Sequence, residues 1–536
     1  MKVDKLHIRS RFKNLENVTV DFDEDHLMTV VVGRNGSGKS NVLEALVAIF
    51  RNLDLGEAPP FSYKLVYRLG ERNKSDLPSE RWLEITIDAD PFRGTLAKQY
   101  DVQVKDLLID DSEHLSIGQS SAISVPFSKV KRDKEGKAPY LPNYVFAYYS
   151  GPSDRLENYF KKHRADFYRH LLNDKPDKKL DLKGDIRPLF YAKPFHSQFV
   201  LLAFFLSDKN SPQRKFIKEH LGIEDLDSVH FVMRQPGWAK QKGELFWGAR
   251  GVVRRFLDEL IKHTLAPIKV TRQEDTSLTG SNVRNEFFHL FLPNIEVLHA
   301  FAKGLSDDEL FKMLESTLLS EIISEVSIRV KVSSSEEPLT FRELSEGEQQ
   351  LLTVLGLLKF TDGKDSLFLL DEPDTHLNPS WAVKYLQFLR EFVPNQETSH
   401  LLMVTHHPLA IAELKKEQVQ VMKRDHENQI SAKMPDESPR GMGINLILRS
   451  DMFGLQTTLD DNTNQKLINR NALAAKEILS KEKMVREPGY KPEDDEQYLA
   501  RLNTELEHLG FNIATDDPDY LEFLRNKYHT KHEENQ

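Results

Sequence analysis

The apolar positions of this chain fall into three patterns: short unbroken runs, helical spacing and alternation. Met28 to Val32 is a short, continuous apolar run that reads as a buried strand. After a polar gap, Val42, Leu43, Leu46, Ile49 and Phe50 recur at helical spacing on one face. Further on, Tyr63, Leu65, Tyr67 and Leu69 alternate with polar neighbours, as do Ile85 and Ile87 about Thr86, and then Val102 and Val104. Strands that follow one another without intervening helices predict an antiparallel side sheet. From about Leu156 to Glu325 the pattern turns mainly helical, with a capping box at Ser306-Asp307-Asp308-Glu309 and no sustained heptad, so a compact helical insertion is expected rather than a coiled-coil arm. Val326, Ile328, Val330 and Val332 then alternate strictly with Ser327, Arg329 and Lys331, a strand expected to return the chain to the core sheet. An apolar helix, Leu351 to Leu358, and two buried strands, Ser366 to Leu370 and Leu401 to Val404, follow.

Composition narrows the class. With 536 residues, 39% apolar and 29% charged, the chain is long enough for several domains or one interrupted one. A formal charge of −10 supplies no global attraction to nucleic acid, so such binding would need a local patch. Cysteine is absent, which excludes disulfides and thiolate metal sites. The longest apolar run, Phe199 to Leu206, is too short to cross a bilayer, and Lys2, Asp4 and Lys5 leave no signal-peptide core; a soluble, cytoplasmic protein without membrane partners is expected.

The polar gap after Val32 is Gly33-Arg34-Asn35-Gly36-Ser37-Gly38-Lys39-Ser40, followed by Asn41. Strand, glycine loop and helix in that order form a phosphate-binding loop: the backbone amides turn inward, the helix N-terminus adds its dipole, Lys39 reaches the terminal phosphates and Ser40 ligates Mg²⁺. The nearby basic turn of Arg9, Arg11 and Lys13 either reaches a bound nucleotide or is a solvated turn. The turn Ser150 to Arg155, after the apolar strand Tyr144 to Tyr149, is either a plain strand-to-helix turn or the seat of a nucleotide-sensing residue.

Three more motifs follow in order. Leu344-Ser345-Glu346-Gly347-Glu348-Gln349 opens the Leu351–Leu358 helix and places Ser345 and the Gly347 amide at a second phosphate-binding tip, with Glu348 beside them. One nucleotide does not need two tips from one polypeptide, so a head-to-tail homodimer is the economical arrangement. The strand ending in Asp371-Glu372-Pro373 puts Asp371 beside Mg²⁺ and Glu372 where it polarises the attacking water. Asn378 is expected to face the dimer partner. The strand ending in Thr405-His406-His407 sets His406 near the γ-phosphate.

Together these motifs resemble the ABC-type ATPase heads, in the branch of the SMC, Rad50 and RecF proteins. The resemblance covers 1–150 and 326–425 and implies an α/β fold, a P-loop core with a parallel sheet plus an antiparallel side sheet, using ATP and Mg²⁺. The expected organisation is 1–155 and 326–425 as the two halves of the head, 156–325 as the insertion, and 426–536 as a helical, partner-docking region. The family's Q-loop glutamine has no counterpart; Tyr149-Ser150-Gly151 stands in its place. A Toprim nuclease is not expected after His407, since Asp460/Asp461 and Asp516/Asp517/Asp519 lie in turn or helix-start contexts, and His529 and His532 lie in a charged tail; the chain is not expected to cut nucleic acid.

The insertion, the turn at 148–157, the C-terminal region with Pro439-Arg440-Gly441-Met442-Gly443 and helices broken at Pro488-Gly489, and the missing Toprim resemble the PtuA-type ATPases of Septu anti-phage systems and of a class of retrons. That resemblance implies a regulatory ATPase, assembled beyond the dimer, that controls a separate HNH nuclease subunit, PtuB. In a retron it would also contact the reverse transcriptase and its RNA-linked DNA. Two basic clusters would serve such contacts, Lys175/Lys178/Lys179/Lys183 and Arg234/Lys240/Lys242/Arg250/Arg254/Arg255 with Trp238 and Trp247; the alternative is a solvated face over core tryptophans. Two rival functions stay open, a RecF-like or Rad50-like DNA-repair ATPase and an ATP-gated toxin with a nuclease in its own C-terminal region.

Overall fold

A computed structural model describes residues 1–71, 81–109, 115–116, 122–133, 136–171, 187–239, 244–275, 282–360, 365–474 and 495–511. It divides into two compact units, Met1–Ile447 and Leu448–Gln536. The basic residues at 175–183, Lys240 and Lys242, the acids at 516–519, Pro488-Gly489, His529 and His532 lie outside the described residues.

The first unit is built on a seven-stranded sheet. Its strands are β1 (Met28–Gly33), β2 (Tyr144–Tyr149), β3 (Leu189–Ala192), β4 (Ser366–Asp371), β5 (Ser399–Val404), β6 (Val419–Arg424) and β7 (Ile430–Lys433). They run in the order β3-β2-β4-β5-β1-β6-β7, parallel except for the closing β6–β7 hairpin. β1, β4 and β5 are buried along their whole length, as expected of parallel strands covered on both faces.

Helix α1 (Lys39–Leu55) leaves β1 through the glycine loop. Its residues Val42, Leu43, Ala45, Leu46, Val47, Ile49 and Leu53 are all fully buried, so the helix lies inside the molecule and not on its surface. One face packs on β1, β2, β4 and β5. The other meets the expected side sheet, where Phe50 stands edge-on to Tyr67 at 5.6 Å. That second sheet is also seven-stranded and antiparallel, running from Val18–Asp21 through Lys2–Ile8, Tyr63–Glu71 and Arg81–Ala89 to Tyr100–Ile109. The alternating Tyr63, Leu65 and Tyr67 turn inward and are fully buried. Burying such side chains contributes roughly 1.5–3 kcal/mol each relative to exposure, which makes the α1 sandwich the main apolar core.

One expectation needs correcting. Helices predominate between 156 and 325, among them α2 (Glu157–Leu171) and α3 (Asp307–Leu319), the latter with its capping box in place. That stretch also carries three long strands, Ile223–Arg234, Ile268–Asp275 and Asn282–Leu292. The strand Ile323–Val332 pairs with the first of these in a separate five-stranded antiparallel sheet, and does not rejoin the core sheet. Its polarity explains the difference. Strict alternation marks a strand with one wet face, and Ser327, Arg329 and Lys331 are only partly covered or exposed, whereas every position in the core strands β4 and β5 is buried.

On the far side of the core sheet, Phe146 of β2 stacks on Phe368 of β4 at 5.4 Å, near the largely apolar helix His196–Leu206. Against that helix lies α4 (Glu346–Lys359), capped by Ser345, and beyond it α5 (Pro379–Phe392), capped by Asn378. In the second unit the helices Asp461–Ala474 and Asp495–His508 pair through Lys466–Glu505 at 2.7 Å and a hydrogen bond from Arg470 to Asn503 at 3.0 Å. Asp460 caps the first of them by accepting from the Thr463 amide, the helix-start role its context predicts. Among the described residues no helix is long and apolar enough to cross a membrane.

A buried imidazole helps to join the two sheets. His400 of β5 accepts the Val3 amide on Nδ1 at 2.9 Å and sets Nε2 3.2 Å from the Thr29 hydroxyl, so both ring nitrogens are used by the neutral form. Burial, and then the charge of Lys2, push its pKa well below the ordinary 6.5. The unfolded chain therefore takes up a proton that the folded one refuses, and this stability, present above pH 6.5, is lost as the pH falls. Up to about 1.4 kcal/mol per pH unit is expected from this ring below pH 6.5. His400→Gln should be less stable at pH 7.5, with a shallower fall in stability between pH 6.5 and 5 in urea titrations. Parallel pH profiles for the two proteins would remove His400 from this role.

Candidate nucleotide site

The glycine loop, the C-terminal tips of β4 and β5 and the turn after β2 meet around one cleft of about 380 Å³. Asn35, Gly36, Gly38, Lys39, Ser40 and Asn41 line it from one side, with Glu372 and His406 opposite. Gly38, the residue before α1, has φ +89, a left-handed conformation that side-chain-bearing residues rarely take. Lys39 Nζ donates to the carbonyls of Gly33 at 2.8 Å and Arg34 at 3.1 Å. Burial lowers its pKa to about 8, against the pull of Glu372 and Asp371, which still leaves it charged at neutral pH. The Ser37 hydroxyl is buried within the loop with no partner in the protein.

Across the cleft, the Ser40 hydroxyl donates to Asp371 Oδ1 at 2.8 Å. Asp371 is completely buried, and desolvation lifts its pKa to about 6 in spite of Ser40 and of Arg155, whose guanidinium holds the other oxygen at 2.5 Å. A hydroxyl and a carboxylate side by side are the hard oxygen pair suited to Mg²⁺, which takes few protein ligands and completes its shell with water and phosphate. The orphaned Ser37 hydroxyl, the inward lysine and this pair fit a Mg²⁺-nucleotide; when bound, the metal would neutralise phosphate charge.

Glu372 follows Asp371 in a left-handed conformation, φ +52, unusual for a residue with a side chain. The turn is held by the Glu372 amide donating to Val404 at 2.9 Å and the Thr375 hydroxyl donating to the Glu372 carbonyl at 2.7 Å. The twist brings the Glu372 carboxylate within 3.1 Å of His406 Nε2. Desolvation, then the nearby Lys39 charge, lower the His406 pKa, which favours the neutral ring. Buried Asp374 accepts the Thr405 hydroxyl at 2.6 Å, and that same hydroxyl accepts the His407 amide at 2.8 Å, so Asp374 anchors the loop that carries His406.

The structure thus gathers Asn35–Asn41, Asp371, Glu372 and His406 in one place. Ser345, Gly347 and Glu348 form a separate tip outside this cleft. There Ser345 and Glu348 close a reciprocal capping box, with the Ser345 amide donating to Glu348 at 2.7 Å. Gly347 is needed for packing, since a Cβ there would meet the His376 carbonyl oxygen at 2.5 Å. Gln350 links this tip to the cleft, donating to the Glu372 carbonyl at 3.4 Å and accepting the His376 amide at 3.2 Å.

Sequence reasoning missed Asn14, Asp374 and Arg155 as individuals. Asn14 donates to Gly36 at 3.1 Å and accepts from Asn41 at 2.6 Å; nothing in its sequence context marks it. Asp374 carried only a turn signal, and Arg155 lay in a turn already noted as a seat for a nucleotide-sensing residue. The basic turn is structural: Arg9 is held by Asp88 at 2.8 Å, and Lys13 pairs with Glu44. In the second basic cluster both tryptophans are hydrogen-bonded within the protein, Trp247 buried and Trp238 partly exposed. Trp247 is buried with its indole donating to Glu286 at 2.9 Å, and Trp238 donates to the Ser320 carbonyl at 2.8 Å.

A phosphate loop on a parallel sheet, an acid pair at an adjacent strand tip and a capped second tip define a P-loop ATPase of the ABC-head type. Residues 28–412 match the family described as "AAA domain, putative AbiEii toxin, Type IV TA system", and the chain belongs to that family. Over 198 residues it is 25% identical to the Septu protein PtuA of Bacillus mycoides (strain KBAB4), a match spanning 34% of this chain and 27% of that protein. Among solved structures it is similar to the SMC head domain from Thermotoga maritima (12% identity, 81% of this chain and 99% of that one, TM-score 0.27). Another is Stu0660 of Streptococcus thermophilus (10% identity, 98% and 99%, TM-score 0.25).

Asn14 clamps both the loop and the start of α1 at the cleft edge. Asn14→Ala should weaken binding of a fluorescent ATP analogue about tenfold, the loss expected from freeing two such hydrogen bonds. Unchanged affinity would show that the loop holds its shape without it.

Proposed function

We propose that this chain is the ATP-binding and ATP-hydrolysing regulatory subunit of a cytoplasmic bacterial anti-phage complex, acting on a separate HNH nuclease subunit. The observation that carries the ATPase part is the Glu372–His406 pair, 3.1 Å apart and facing Lys39 and Ser40 across one cleft. The defence part is supported by the likeness to a Septu PtuA protein.

In this reading the loop amides and Lys39 bind the phosphates, and Ser40 with Asp371 would hold Mg²⁺. Glu372 takes a proton from water as its oxygen attacks the γ-phosphorus and the bond to the bridging oxygen breaks, releasing ADP and phosphate. His406 keeps the Glu372 carboxylate turned to that water. Ser345, the Gly347 amide and Glu348 act on the nucleotide of a second copy in a head-to-tail dimer, with Asn378 toward the partner. Hydrolysis then loosens the dimer, and Gln350, on the helix that carries Ser345, passes the change between the tip and the Glu372 turn. Docking of the nuclease falls to the insertion and to the part of 426–536 beyond β7. With Trp247 buried and the indole of Trp238 bonded to the Ser320 carbonyl, neither ring is free to stack on a base, which favours a protein partner over a reverse transcriptase's RNA-linked DNA or a repair substrate.

Glu372→Gln should bind ATP, accumulate as a dimer in light scattering, and hydrolyse at least about a hundredfold more slowly, the scale of a lost general base. Lys39→Ala should not bind ATP and should stay monomeric. Wild-type turnover by the Gln variant would remove Glu372 from this role. Affinity purification that returns DNA or RNA, and no nuclease subunit, would overturn the defence assignment.

A further inference from the structure

Asp371 is fully buried, yet it has two compensating neighbours from distant parts of the chain. Ser40 donates to one oxygen, and Arg155 Nη2 lies 2.5 Å from the other. The guanidinium lies over the Tyr149 ring, 4.6 Å from its centroid, and its buried Nε has no partner. Although paired, Arg155 keeps 30% of its side chain exposed, and what it exposes lines the cleft beside Lys39. Its backbone is fixed on both sides. Ser150 is bonded to the Asp371 carbonyl and to Thr375, while Leu156 is buried and Glu157, at the start of α2, is gripped by Arg164 at 2.9 Å and Lys193 at 2.7 Å.

A buried carboxylate next to a phosphate site repels the phosphates unless a cation offsets it. In most such sites that cation is the metal. Here a fixed guanidinium from the turn after β2 already stands on the carboxylate. We propose that Arg155 is a positioning residue that neutralises Asp371 from within the protein, so that ATP binds with only a weak dependence on Mg²⁺. This rests on the ATPase reading above and adds a role for a residue outside its motifs. Arginine suits the task because its planar, delocalised head can hold a carboxylate while resting over an aromatic face.

The test compares affinity for a fluorescent ATP analogue in Mg²⁺ and in EDTA, for the full-length wild type, Arg155→Ala and Arg155→Lys. The ratio of Kd in EDTA to Kd in Mg²⁺ should rise by about tenfold or more in the alanine variant, because Asp371 then faces the phosphates alone. Lysine, which keeps the charge, should hold the ratio near wild type. Equal losses in both buffers, leaving the ratio unchanged, would overturn the proposal and reduce Arg155 to a prop for the turn. Should the alanine variant not fold, Arg155→Gln supplies the same comparison. A wild type that binds no nucleotide in either buffer would instead overturn the ATPase reading itself.

Discussion

The Met28–Gly33 strand can be completed only by chain that is made much later. Its neighbours in the sheet are Ser399–Val404 on one side and Val419–Arg424 on the other, both parallel to it. Parallel pairing over such a separation carries a large closure cost, which the glycine-loop helix offsets by burying nearly its whole circumference between two sheets. Much follows from this arrangement. The strands bring their C-terminal tips to one edge, where Ser40 and Asp371, 331 residues apart in sequence, come within one hydrogen bond. That edge is where open parallel sheets bind their ligands, because strand tips and helix starts converge there. The stretch between the halves gives the core sheet its edge strand, Leu189–Ala192, and folds otherwise as helices and a separate antiparallel sheet.

The engine of this fold was legible in the sequence because its pieces are local. A glycine loop between an apolar run and a helical period, an acid pair ending an apolar strand, and a capped Ser345 each carry their meaning in fewer than ten or so residues. The side sheet was equally readable, since Tyr63, Leu65 and Tyr67 alternate as a half-buried strand must. The strand expected at Val326 to Val332 belongs to the separate antiparallel sheet and not to the core, because its strict alternation requires one wet face. Asn14 and Asp374 were beyond reach for a different reason. Their roles are long-range hydrogen bonds that leave no periodic trace, and only the folded chain sets Asn14 against Gly36 or Asp374 against Thr405.

Strain and burial cluster where the chemistry is. Glu372 is held at φ +52 by the bonds that tie its turn to Val404 and Thr375, a backbone cost of about 1–3 kcal/mol that the surrounding sheet sustains. The same turn touches three other parts of the molecule: His406 through its carboxylate, Gln350 through its carbonyl, and Arg155 through the adjacent Asp371. Each contact leads elsewhere. Gln350 belongs to the helix capped by Ser345, and Arg155 is two residues ahead of the helix that begins the insertion. The Glu372 turn therefore touches the helix capped by Ser345 directly and reaches the start of the insertion through Asp371 and Arg155. One strained turn thus ties the acid pair to elements that lie far apart in the sequence.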